Sequence, residues 1–139
     1  PRKGADGTDK NRDSLVLAVQ YGSFRALLTG DVEKEGEEYL EESGRAGKIS
    51  VLKVAHHGSK NSTSKELLEQ IRPTVSVISC GRDNSYGHPS KELLERLEDV
   101  RTVVYETEKS GAVKVSVNRE GFSVQEYRKN NFFTGFCKK

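Results

Sequence analysis

The feature that most constrains the fold is a near-repeat. "LKVAHHGSKNSTSKELLEQI", Leu52 to Ile71, and "VISCGRDNSYGHPSKELLERL", Val77 to Leu97, each run from an apolar stretch through a histidine-bearing loop into almost the same helix sequence. The apolar stretches, Ile49 to Ala55 and Val75 to Cys80, have the length and β-branched content of strands. Ser64 and Ser90 are placed to accept first-turn N–H groups, and Glu66 and Glu92 suit the positive helix end. Leu67, Leu68 and Ile71, and likewise Leu93, Leu94 and Leu97, supply one apolar stripe per helix. Two successive strand–loop–helix units predict an α/β fold with neighbouring strands and helices on one face of the sheet.

The flanking sequence extends this plan. Ser14 to Gln20 and Phe24 to Thr29 read as a β-hairpin turning at Tyr21-Gly22-Ser23. Val32 to Ser43 reads as a helix, with Asp31 placed to cap it and Gly44 to stop it. Its glutamates (Glu33, Glu35, Glu37, Glu38, Glu41 and Glu42) are expected on a solvated surface, with Val32, Tyr39 and Leu40 facing inward. Thr102 to Tyr105, Ala112 to Val117 and Phe122 to Tyr127 alternate like half-exposed strands, with turns at Lys109-Ser110-Gly111 and Asn118-Arg119-Glu120-Gly121. Residues 1–13 and 129–139 are rich in lysine and arginine and are expected to be a mobile N-terminal segment and a basic tail, leaving 14–128 as the folded part. Pro1 stands first and the chain holds no methionine, so it is expected to be a piece of a longer protein.

Composition excludes some functions. Apolar residues make up 33% and charged ones 32%, and no apolar stretch approaches the length of a membrane span. A net charge of +2 falls short of the distinct basic patch that marks most nucleic-acid binders. Cys80 and Cys137 fit no Cys-x-x-Cys metal pattern, and Cys80 reads as a small buried hydrophobe.

The chain's three histidines all lie in loops that follow strands. Polar residues at strand ends gather at one edge of an α/β sheet, where ligands bind. Asp31 after "LLTG", His56-His57 after "LKVA" and His88 in "YGHP" are therefore the candidate site. Imidazole and carboxylate are ligands for zinc, manganese and iron. Ser59, Asn61, Ser62 and the N–H groups near Gly58 are candidates to hold phosphate oxygens. His56, His88 or Lys60 are candidates to steady developing negative charge. Tyr86 is expected to pack.

"NRDSLVLAVQYGSFRALLTGD", "LKVAHHGSKNSTSKELLEQIRPTVSVIS" and "NSYGHPSKELLERL" resemble the C-terminal half of the metallo-β-lactamase-fold domain of ComEC-like competence proteins, from about Asn11 to Gly111. The resemblance implies half of an αββα sandwich, a mixed sheet with helices on one face, around one or two divalent metal ions, zinc or manganese. It implies Asp31 as a bridging metal ligand, His57 as a ligand, His56 as a catalytic contact to phosphate, and His88 as a catalytic residue near the metals, either a ligand or a phosphate contact. Ser59, Lys60 and Ser62 are the expected substrate-binding residues. The implied activity is metal-dependent phosphodiester hydrolysis, with DNA as the substrate during uptake. The implied setting is a domain attached to the membrane channel of a bacterial inner-membrane protein, on the extracytoplasmic side. Alternatives are a small-molecule phosphodiesterase of the same fold, or a non-catalytic domain that guides DNA or contacts proteins.

Two departures bear on the site. The group's His-x-His-x-Asp-His motif, which supplies most metal ligands, is absent, and "NRDS" holds no histidine where many relatives have another ligand. The N-terminal half of the domain is thus an expected partner, and the isolated chain is expected to be inactive. One sheet face, carrying alternate residues of Val51 to Val54 and Val75 to Ile78, is expected to be left open and covered by that half or by self-association.

Overall fold

The computed structural model describes residues 14–44, 47–128 and 131–137. A hairpin of β1 (Leu17–Tyr21) and β2 (Phe24–Leu28) leads through helix α1 (Lys34–Glu42) to β3 (Val51–Lys53). The two units of the near-repeat follow: α2 (Lys65–Ile71), β4 (Val75–Ile78), α3 (Lys91–Asp99) and β5 (Val103–Glu106). A short helix α4 (Thr107–Ser110) precedes β6 (Ala112–Asn118), β7 (Gly121–Arg128) and β8 (Asn131–Cys137). The strands form a five-stranded sheet in the order β1-β2-β3-β4-β5 and a three-stranded sheet β6-β7-β8. β1 and β2 are antiparallel, whereas β2, β3, β4 and β5 run parallel. This is the expected mixed α/β architecture, compatible with an αββα sandwich.

Strand alternation divides the core between the sheet's two faces. Leu27, Leu52, Val54 and Ile78 pack with Leu67, Leu68, Ile71, Leu93 and Leu97 of α2 and α3. These five helix residues are fully buried, and each contributes about 1.5–3 kcal/mol of hydrophobic stabilisation. Val51 and Val75 face the other way and pack with Val124 of β7, joined by partly buried Phe24, Val77, Tyr105, Val113, Val115 and Phe122. Both helices of the near-repeat carry the expected caps. Ser64 Oγ accepts from Leu67 N at 3.1 Å, and Ser90 Oγ accepts from Leu93 N at 3.2 Å.

Several expectations are corrected. The sheet face bearing Val51 and Val75 is not left open, because the chain's own second sheet covers its centre; the two valines are 5% and 2% exposed. Exposure persists toward the β1 and β5 edges of that face, where Val19 is 50% and Val103 48% exposed, and at Leu17, Tyr21 and Leu28 of the hairpin. Asp31 does not cap α1; Glu33 occupies the N-cap position, with no side-chain cap bond. Glu37 is buried instead of solvated, and Tyr39 is exposed instead of facing inward. The Lys109-Ser110 part of an expected turn belongs to α4. The N-terminal segment 1–13 lies outside the described residues, but within the expected basic tail Asn131–Cys137 pairs antiparallel with β7. Phenylalanines at 132, 133 and 136 favour such a strand.

Candidate functional site

Parallel strands bring their C-terminal ends to one edge, so the segments after β2, β3 and β4 converge. Backbone bonds tie them together. His56 N donates to Gly30 O at 3.1 Å, and Ser90 N donates to Gly58 O at 2.9 Å. Thr29 Oγ1 donates to Lys53 O at 2.6 Å. Gly58 permits the close approach of the two histidine loops. Its φ is +90°, and a Cβ there would lie 2.8 Å from Pro89 Cβ and 3.0 Å from Leu93 Cδ2. The ring centroids of His56 and His88 are consequently 6.0 Å apart, and those of His56 and His57 6.4 Å apart.

His56 and His57 both adopt left-handed backbone conformations, with φ of 44° and 54°. Non-glycine residues there carry strain of roughly 1–2 kcal/mol each, which persists only where surrounding contacts over-determine it. The contacts are present. Ala55 N donates to Thr63 Oγ1 at 3.2 Å, and Ser62 Oγ lies 3.1 Å from Ala55 O and 3.2 Å from Ser59 O. Arg96, reaching across from α3, donates to the carbonyls of Lys60, Ser62 and Thr63 at 2.9–3.1 Å. The Glu37 carboxylate, from α1, accepts from Thr63 N and, at 2.8 Å, from Ser64 N. Burial raises the pKa of Glu37 above the usual carboxylate range, against the lowering effect of those backbone bonds.

The two histidines are held in different ways. His57 Nδ1 donates to Ser79 O at 2.6 Å, and its Nε2 lies 3.6 Å from Asp31 Oδ1. A backbone carbonyl on one ring nitrogen is the arrangement that orients the other for a metal. His56 Nδ1 instead donates to Glu33 Oε1 at 2.8 Å, so the carboxylate orients the ring and leaves Nε2 for another partner. His88 Nδ1 is buried with no hydrogen-bond partner among the described residues, and desolvation, then the neighbouring His56 and His57, lower its pKa.

The structure thus gathers Asp31, His56, His57 and His88. Lys60 is exposed on the same loop, whereas Ser59 and Ser62 are buried. Ser59 Oγ accepts from Asn61 N at 3.2 Å, and the Ser62 hydroxyl is engaged by the loop's own carbonyls. Both serines therefore brace the loop in this conformation. Tyr86 does not pack into the core: it is 82% exposed and stacks on His88.

Glu33, Glu37, Lys53 and Arg96 were not expected here. Lys53 is half-buried, donates to Gly30 O at 3.4 Å, and has its pKa lowered by burial, an effect opposed by the Asp31 charge. A lone lysine in an apolar strand, three residues before a histidine pair, was a legible signal. Glu33 and Glu37 stand one helical turn apart, a spacing visible in the sequence but lost among six glutamates.

Asp31 and His57 offer one carboxylate and one imidazole donor on converging vectors, which fits part of a zinc or manganese site. A catalytic zinc site commonly needs about three protein ligands. Among the described residues no group of three or more His, Cys, Asp or Glu side chains is arranged to hold a metal ion. Among them, too, no helix is long and apolar enough to cross a membrane.

No family model matches the chain. It is similar to ComE operon protein 3 of Bacillus subtilis, at 41% identity over 121 residues, covering 86% of this chain and 16% of that protein. It is similar to Recombination protein 2 of Haemophilus influenzae, at 42% identity over 118 residues, covering 85% of this chain and 15% of that protein. Competence protein ComA of Neisseria gonorrhoeae is 34% identical over 128 residues, covering 90% of this chain and 18% of that protein. These relatives indicate a competence-associated protein family, and the chain spans only about a sixth of their length.

Proposed function

We propose that this chain supplies part of a metal-dependent phosphodiesterase centre that cuts DNA during its uptake in competence. The observation that supports this most is the aim of His57 Nε2 at Asp31, 3.6 Å away, with His56 and His88 beside them. In this reading the chain is the C-terminal half of a metallo-β-lactamase-like domain in a ComEC-like protein. The remaining ligands come from the N-terminal half of that domain. The parent protein carries a membrane channel, and this domain faces the extracytoplasmic side.

Asp31 and His57 would hold one or two divalent ions, zinc or manganese. Such an ion, when bound, supplies Lewis acidity and an activated water. The chain's own residues then have separate tasks. Glu33 orients the His56 ring through Nδ1, and it is as the imidazolium that its Nε2–H donates to a phosphate oxygen. Lys60 brings positive charge to the same loop, and His88 lines the site opposite His56. The Arg96 and Glu37 contacts keep the strained loop in place for this contact.

The test joins this chain to the N-terminal half and measures metal content beside hydrolysis of a single-stranded oligonucleotide. Asp31→Ala and His57→Ala should lose metal and activity together, whereas His56→Ala should keep its metal and lose turnover. Equal metal loss in the His56 and His57 variants would remove the division of roles. Full activity in Asp31→Ala would remove the site. The 139-residue chain by itself should be inactive.

A further inference from the structure

Tyr86 is a large aromatic side chain that the fold spends nothing to bury: it is 82% exposed. Its ring nevertheless has a defined place. It lies nearly parallel to His88, at an interplanar angle of 19° and a centroid separation of 5.9 Å, in an offset stack. His88 in turn stands 6.0 Å from His56, so the exposed Tyr86 ring is one neighbour removed from His56.

The loop carrying Tyr86 is braced from within. Asn84 Nδ2 donates to Gly81 O at 3.0 Å and to His88 O at 2.6 Å, while Asn84 Oδ1 accepts from His88 N at 3.0 Å. An aromatic face held this way is ordered before a ligand arrives, which reduces the entropy lost on binding.

We propose that Tyr86 is the stacking platform for an unpaired nucleobase of the substrate, making this a site for single-stranded nucleic acid. The proposal rests on the phosphodiesterase reading above. A nucleotide carries its base one sugar away from its phosphate. A base on the outer face of Tyr86 therefore brings the adjoining backbone toward His88 and His56. Stacking of this kind tolerates any base, because every base offers a π-face. Bases inside a duplex are already stacked on their neighbours, so the platform selects against paired DNA.

The experiment measures binding of a short labelled single strand to the full chain by fluorescence anisotropy, beside a strand of the same length made of abasic sites. The wild type should prefer the base-bearing strand. Tyr86→Ala should weaken that strand about 10-fold while leaving the abasic strand unchanged, and Tyr86→Phe should bind as the wild type does. Equal affinity of the wild type for the two strands, equal loss for both in Tyr86→Ala, or a Tyr86→Phe loss as large as that of alanine would overturn the proposal. Hydrolysis by the chain joined to its N-terminal half is scored separately. Base-dependent binding without metal-dependent cleavage would sustain the platform and sink the phosphodiesterase reading. Cleavage with no base dependence would do the reverse.

Discussion

The two strand–loop–helix units begin and end alike but differ in how far their loops depend on distant side chains. In the first, the loop's own Ser59, Ser62 and Thr63 hydroxyls hold it together with side chains from elsewhere in the chain, Glu37 on α1 and Arg96 on α3. In the second, Gly81 to Ser90 is held largely by Asn84, a member of the loop itself. The difference follows from the backbone. Two consecutive histidines with positive φ carry strain that the first loop offsets with its own bonds and with side chains arriving from α1 and α3. The loop that presents His57 to Asp31 is consequently in part a tertiary product, and the loop that presents His88 and Tyr86 is mainly a local one.

The largest expected effect comes at the point the two loops share. Gly58→Ala would place a methyl group against Pro89 and Leu93 at a φ of +90°. We expect a loss of about 3 kcal/mol in urea unfolding, with backbone NMR shifts in both histidine loops. Shifts confined to the first loop would mean that the units are independent.

Glu37→Ala ranks next. It strands the Thr63 and Ser64 N–H groups, and a loss of about 2–3 kcal/mol is expected, with hydrogen exchange rising in the first loop alone. Glu37 also introduces a pH dependence. Its pKa is raised by burial above the ordinary value of 4.5, so the folded state binds more protons than the unfolded one just above that value. The protonated form's contribution to stability is fully present below pH 4.5 and is lost as the pH rises through the raised pKa. Glu37→Gln should flatten that part of the stability profile; an unchanged slope would assign it to another group.

Asn84→Ala removes the brace of the second loop and should cost about 1–2 kcal/mol, with faster exchange at His88 and none of the first loop's amides affected. The smallest effect separates the caps. Ser64→Ala and Ser90→Ala should each cost about 1 kcal/mol. Ser64 should cost a few tenths more, because its hydroxyl also donates to Glu41 at 3.1 Å. Equal costs in thermal melts would show that this additional bond contributes nothing.

Much of the site was legible because it depends on local pattern. The strands, the capped helices and the placing of Asp31, His56, His57 and His88 at one sheet edge follow from apolar runs, N-cap serines and the rule for parallel strands. Glu37 was misread because periodicity assigns a helix face without saying what packs on it. Its carboxylate is buried only because the start of α2 needs acceptors for two N–H groups. Tyr86 was expected to pack for a related reason: residue type favours burial, but here nothing in the described fold comes to cover the ring.

The sequence by itself determined the two units, their caps and the edge on which the chemistry-bearing residues stand. These depend on contacts within one or two helical turns or on strand alternation. Only the tertiary structure decided that β6 and β7 cover Val51 and Val75, that Glu33 meets His56, and that Arg96 and Glu37 hold the first loop. Those contacts join residues 23 or more positions apart. Such pairings exist only after the sheet and helices have packed, since no local preference encodes which distant side chain will arrive.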